Sequence, residues 1–214
     1  NRESPLNILT APTHERYESN LAKTGHNFYA VTGKGIKDWN SVYAKQPDNY
    51  KIIEASELEN IHIDLVLIQQ KFGQYQALNP IADYLHAPKI VLEHTLPDPT
   101  WPKSRIVDLR KLTGDLNLFI SKYSIKQWGF KENEGYIVNH GIDTDVFRPV
   151  IGYSARENKC ISVVNDWINR DRFCGYRVWK ESTIGLPTSV YGSTPGLSRP
   201  TNSIEELVGL LNSH

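Results

Sequence analysis

Residues 63–68 read Ile-Asp-Leu-Val-Leu-Ile, and few structures accommodate such a run. It is too short for an ordinary helix, and its alternation is too weak to leave one face in water. A near-continuous apolar run of this kind marks a strand buried on both faces, which implies a parallel sheet with helices above and below it. Further strand-like runs stand at 6–9, 27–31, 50–53, 89–92 and 116–120. Stretches with helical spacing or helix-stop residues occupy 13–23, 74–85, 104–112 and 121–128, with Asn79-Pro80 expected to kink or restart the second of them. Alternating strands and helices predict an α/β protein built on a Rossmann-like parallel sheet. The expected first domain is 1–150, followed by a polar linker over 151–159. A partial second α/β segment then spans 160–214, with strands at 160–164 and 188–191 and helices at 173–183 and from 203 onward.

Composition narrows the function classes. The 214 residues carry 24 basic and 24 acidic side chains, so nothing in the total demands a nucleic acid or an anionic membrane as partner, although a balanced total is compatible with a local basic patch. No apolar run approaches the roughly 20 residues of a membrane-spanning helix, and none is expected. Cys160 and Cys174 are the only cysteines. They are too few for a disulfide framework and lack zinc-site spacing, so both are expected to be reduced and buried, in a cytoplasmic setting. The sequence holds no Met, and a processed or altered start is expected. The seven histidines are scattered without metal-ligand spacing. No Gly-x-Gly-x-x-Gly, Walker-type loop or Gly-x-Ser-x-Gly elbow is present, which argues against a dinucleotide cofactor, a nucleoside-triphosphate site or a hydrolase nucleophile.

The most particular stretch is 135–149. Tyr136-Ile137-Val138 breaks into the turn-forming Asn139-His140-Gly141, followed by Ile142, Asp143, Phe147, Arg148 and Pro149. A strand end, a glycine turn and a capped exit would account for it. The full pattern also resembles the Pro-Asn-Gly-Val/Ile-Asp-x-x-x-Phe-x-Pro segment of glycosyltransferase family 4. Leu118 to Ser124 is similar to the family's strand-Ser-x-x-Ser segment, Leu92-Glu93-His94-Thr95 to its strand-end histidine, and Thr24-Gly25-His26 to its Gly-His before the second strand. These matches cover about residues 6–150 in order.

The resemblance implies a GT-B fold, in which two Rossmann-like domains face each other across a cleft. It also implies transfer of a sugar from a nucleotide-sugar donor to an acceptor hydroxyl, retaining and without a metal. The donor is a substrate, and no cofactor is expected. The acceptor stays open between glycan, lipid, protein and nucleic acid. On this reading His94 meets the transferred sugar, and Asn139, Gly141 and Asp143 line the cleft. His94 can equally be a hydrogen-bonded structural histidine. His14 and Glu15 are candidates for the acceptor side, or simply residues favoured at a helix N-terminus. Arg170 and Arg172, in the charged stretch 165–172, are candidates to clamp the donor diphosphate through bidentate pairing, or members of a solvated loop. Residues 34–39 form either an acceptor lid or a surface loop pinned by Trp39.

The chain departs from the family pattern in two places. Pro12-Thr13-His14-Glu15-Arg16 stands where the family carries a Gly-Gly, and the family's acidic donor-binding segment is expected beyond His214. A non-catalytic relative that acts as a binding module, and a GT-B-type sugar-nucleotide epimerase, are the alternatives to a transferase.

Overall fold

The computed structural model describes residues 4–33, 38–150, 152 and 155–214. One sheet contains β1 (Asn7–Thr10), β2 (Asn27–Val31), β3 (Tyr50–Ile53), β4 (Leu65–Ile68), β5 (Lys89–Glu93), β6 (Leu116–Phe119) and β7 (Tyr136–Ile137). Their order is β3-β2-β1-β4-β5-β6-β7, and every neighbouring pair runs parallel. Helix α1 (Glu15–Ala22) follows β1, α2 (Gln74–Leu85) follows β4, α3 (Lys103–Arg110) follows β5 and α4 (Lys122–Gln127) follows β6. The fold is α/β and Rossmann-like.

Because side chains alternate across a strand, the central strands feed two separate layers. Leu9, Val31, Val66, Ile68 and Val91 pack on one face with Leu78 and Ala82 of α2. Ile8, Phe28, Ala30, Leu67 and Leu92 pack on the other with Ala22 of α1, where Tyr17 and Leu21 add partial cover. Fully burying one such side chain contributes about 1.5–3 kcal/mol, so both layers are needed to hold the sheet.

Toward the β7 edge a third cluster joins Phe119, Ile125 and Trp128 to Trp101, Ile106, Leu109 and Phe130. A buried charge pair lies against it. Lys71 and Glu93 are 1% and 2% exposed, with Nζ 3.7 Å from Oε1. Lys71 also donates to the Leu112 carbonyl and lies 5.8 and 5.7 Å from the ring centres of Trp128 and Phe130. Burial pushes the Glu93 carboxyl up to about 7, against the pull of Lys71. Burial likewise lowers Lys71, against the pull of Glu93.

Helix α2 runs on through Pro80, so the chain does not restart the helix at Asn79-Pro80. Pro80 and Gln76 are both exposed, so water can take the carbonyl that the proline leaves unserved. Gly114, ahead of β6, is needed for close approach: a Cβ there would come within 2.5 Å of the Lys89 carbonyl oxygen.

The chain divides into two compact units, 1–141 and 142–214, whereas the sequence reading ends the first domain at residue 150. The second unit holds the parallel pair β8 (Cys160–Val163) and β9 (Thr188–Tyr191), with α5 (Asp171–Cys174), α6 (Tyr176–Ser182) and α7 (Ile204–Ser213). The single helix expected over 173–183 is two, because Gly175 adopts a left-handed φ of 66° between them. Trp167 is buried, and its ring centre lies 4.6 Å from that of Trp179 and 5.8 Å from that of Tyr176. The cysteines are free, but Cys160 is exposed and Cys174 only half-buried, which corrects the expectation of burial. Among the described residues β8 is hydrogen-bonded on one side only, by β9, and its side chains are at most half-buried.

The buried pair gives a stability prediction. The raised Glu93 pKa means that its contribution is present below its ordinary value near 4.5 and is lost as pH rises through about 7. Lys71→Met removes the compensating cation. Urea unfolding should therefore show a loss of roughly 3–5 kcal/mol at pH 8 and a smaller loss at pH 5. Adding Glu93→Gln should recover most of it.

Candidate functional site

The strand order reverses at β1. The chain builds outward to β3, then returns to place β4 on the other side of β1. The loops leaving the carboxyl ends of β1 and β4 diverge there, and open α/β sheets bind ligands in that crevice. The β1 loop spans 11–14 and the β4 loop spans 69–73.

Polar side chains tie these loops together. Gln74, at the start of α2, is 4% exposed. Its Nε2 donates to the carbonyls of Ala11 (3.1 Å) and Pro12 (3.4 Å). Its Oε1 accepts from the Gln69 backbone N–H at 3.1 Å. The Gln69 side chain, 1% exposed, donates through Nε2 to Glu18 Oε1 (2.9 Å) and Thr10 Oγ1 (3.2 Å). Glu18 Oε1 also accepts from Thr13 Oγ1 (2.6 Å) and Thr13 N (3.1 Å). Burial raises the Glu18 pKa, opposed by these hydrogen bonds. Burial, followed by the Glu18 charge, pushes the Tyr50 hydroxyl upward as well.

His94, immediately after β5, is half-buried, and its Nε2 lies 3.3 Å from Gln69 Oε1. Its ring meets Tyr17 edge-on at 4.7 Å and the exposed His140 at 5.3 Å. The ring centres of Tyr17 and His140 are 5.5 Å apart, so three rings from α1, the end of β5 and the segment after β7 form one cluster. Burial, and then His140, push His94 down to about 4. It is therefore a neutral imidazole near pH 7, able to donate one hydrogen bond and accept another. Burial and Glu18 push Tyr17 up to about 12, which keeps its hydroxyl protonated.

Of the residues singled out in the sequence, His94 is central to this cluster. Asn139 and Gly141 are exposed on either side of His140 in an irregular segment, and the Gly141 carbonyl accepts from Asn20 Nδ2 at 3.2 Å. A Cβ at Gly141 would meet nothing within 4 Å. His14 is the exposed N-cap of α1, accepting from Arg16 N at 3.3 Å. Glu15 is buried, and its Oε1 accepts from Asn40 N at 3.0 Å, which anchors the loop after β2. Trp39 pins the same loop by donating to the Ala44 carbonyl at 2.9 Å and packing on Tyr50. Residues 34–37 of the expected lid lie outside the described residues.

Asp143, Arg170 and Arg172 belong to the second unit. Asp143 Oδ1 accepts from Asp145 N at 3.0 Å and Val146 N at 3.4 Å, closing a turn. Arg170 is the exposed residue ahead of α5, its N–H bonded to the Asp166 carbonyl at 3.0 Å. The exposed Arg172 guanidinium lies 5.3 Å from the Phe173 ring centre.

Sequence reasoning passed over Thr10, Thr13, Tyr17, Glu18, Gln69 and His140 as members of one cluster. A trace of it existed in the helix spacing. Glu15, Glu18 and Ala22 share the buried side of α1, and carboxylates at such positions are uncommon unless they are bonded. No group of three or more His, Cys, Asp or Glu among the described residues is arranged to hold a metal. No described helix is long and apolar enough to cross a membrane. Compared with known proteins, the chain matches no family model and no curated protein.

The depressed His94 pKa carries a definite sign. Between about 4 and the ordinary 6.5 the unfolded chain binds a proton that the folded chain does not. The contribution of His94 to stability is thus present above pH 6.5 and lost as pH falls through about 4. The urea midpoint of the unmodified chain should drop more steeply over that window than the midpoint of His94→Asn.

Proposed function

We propose that the first unit is the acceptor-side domain of a GT-B glycosyltransferase resembling family 4, which moves a sugar from a nucleotide-sugar donor to an acceptor hydroxyl. The observation that carries this reading is the neutral His94 at the carboxyl end of β5. It is held by Gln69 and flanked by Tyr17 and His140 beside the crevice where the strand order reverses. A neutral imidazole among aromatic faces suits an uncharged, hydroxyl-bearing ring better than a phosphate. The first turn of α1 carries Glu15 and Glu18, and carboxylates there oppose a diphosphate at the helix N-terminus. The diphosphate would fall instead to basic side chains. Stabilisation of the leaving diphosphate and positioning of the two substrates would supply the rate.

One observation favours a second reading, a module that binds a nucleotide sugar or glycan without turnover. Glu15 and Glu18, the carboxylates on the α1 side of the crevice, are 3% and 0% exposed and already accept hydrogen bonds from the protein.

The chain should be incubated with a panel of nucleotide sugars while donor hydrolysis and thermal unfolding are followed. The transferase reading expects at least one donor to be hydrolysed slowly, to raise the unfolding midpoint, and to lose roughly 10²-fold of that hydrolysis in His94→Ala. A raised midpoint with no hydrolysis supports the binding module. No response to any donor contradicts the transferase reading and leaves only a module that binds a glycan.

A further inference from the structure

The buried network behind His94 decides which of its two ring nitrogens is left for a ligand. Glu18 Oε1 accepts from a group that can only donate, the Thr13 backbone N–H. Its contact with Gln69 at 2.9 Å therefore requires the NH₂ side of the amide. Turned the other way, Gln69 would set its carbonyl oxygen against the Glu18 oxygen, both acceptors and both shielded from water. With Nε2 committed to Glu18 and Thr10, Gln69 Oε1 faces His94 Nε2 at 3.3 Å. An amide oxygen only accepts, so this contact requires His94 to carry its proton on Nε2. The Gln69 backbone is fixed in turn by Gln74, which spans the β1 and β4 loops.

We propose that Gln69 is a positioning residue that holds His94 in the Nε2–H tautomer. This leaves the Nδ1 lone pair as the group offered to a ligand, so His94 acts as an acceptor for a hydroxyl donor and not as a donor to a phosphate oxygen. Direction passes from the Glu18 carboxylate through the Gln69 amide to the imidazole, without any proton moving along the path. Glu18 need not be ionised for this: with its proton on Oε2, Oε1 is a carbonyl oxygen and still accepts from Gln69 and Thr13. The proposal explains why a glutamine is buried to 1% exposure beside a buried glutamate: its amide nitrogen donates to Glu18 Oε1, and the remaining amide oxygen is aimed at the ring.

The ligand consequence rests on His94 being the ligand-facing residue of the proposed transferase site. The tautomer itself can be read without turnover, so failure of one is distinguishable from failure of the other. The full chain, uniformly labelled with ¹⁵N, is examined by long-range ¹H–¹⁵N correlation at pH 7, with the His94 signals assigned by their loss in His94→Asn. A neutral ring with Nε2 protonated, and with slow exchange of that ring proton, is expected. Gln69→Met keeps the length of the side chain and removes the acceptor, and it should speed exchange of the Nε2 proton at least about fivefold. A predominantly Nδ1-protonated ring in the unmodified chain overturns the proposal, and so does unchanged protection in Gln69→Met. If Gln69→Met does not fold, the tautomer and protection in the unmodified chain still decide the matter.

Discussion

The parallel pairing of β1 with β4 is the contact on which the crevice depends. It is short, with Ile8 opposite Leu65 and Leu9 opposite Val66, yet it joins parts of the chain separated by all of α1, β2 and β3. Once it forms, residues 69–74 land beside 10–18, and the amides of Gln69 and Gln74 find their partners across the gap. The apolar layers on either face set that register, because a slip of one residue would exchange the two faces. The polar network then sets the detail at the strand ends. A buried amide or carboxylate costs free energy unless it is bonded, so Gln69, Gln74 and Glu18 hold one arrangement more tightly than apolar packing alone would.

Much of the framework was legible in the sequence. The strands at 27–31, 50–53 and 188–191 and the helix at 74–85 have the limits read from their apolar spacing, because each is a local pattern that its neighbours do not overturn. Departures came where a local rule met a wider context. Pro80 is tolerated because its side of α2 faces water. Gly175 ends a helix that the spacing of Phe173, Tyr176 and Trp179 would have continued. The cysteines were expected to be buried because free Cys behaves as a small hydrophobe, whereas no packed layer covers the start of β8 and Cys160 stays in contact with solvent.

The candidate site was legible only at its surface. His94 stood out because it closes an apolar strand, and the 139–141 turn because its residue types punctuate the chain. The network beneath them was not legible, since Gln69 reaches Thr10 and Glu18 across separations of 59 and 51 residues, and periodicity carries no information at that range. Lys71 and Glu93 were hidden for a different reason: each ends or follows a strand, where polar residues usually signal exposure. What most alters the reading of His94 is its environment. Burial beside Tyr17 and His140 makes it a neutral ring, and neutrality favours hydroxyls over charged groups.

The most direct test of the crevice as the ligand site is residue-resolved mapping. Backbone and side-chain amide shifts of the ¹⁵N-labelled chain would be followed as nucleotide sugars and simple glycosides are added. Saturable shifts grouped at Thr13, Tyr17, Gln69, His94 and His140 are expected for at least one of these ligands, with the Gln69 side-chain amide among those affected. Saturable shifts grouped elsewhere in the first unit, with these five residues unmoved, would contradict a ligand site in the crevice.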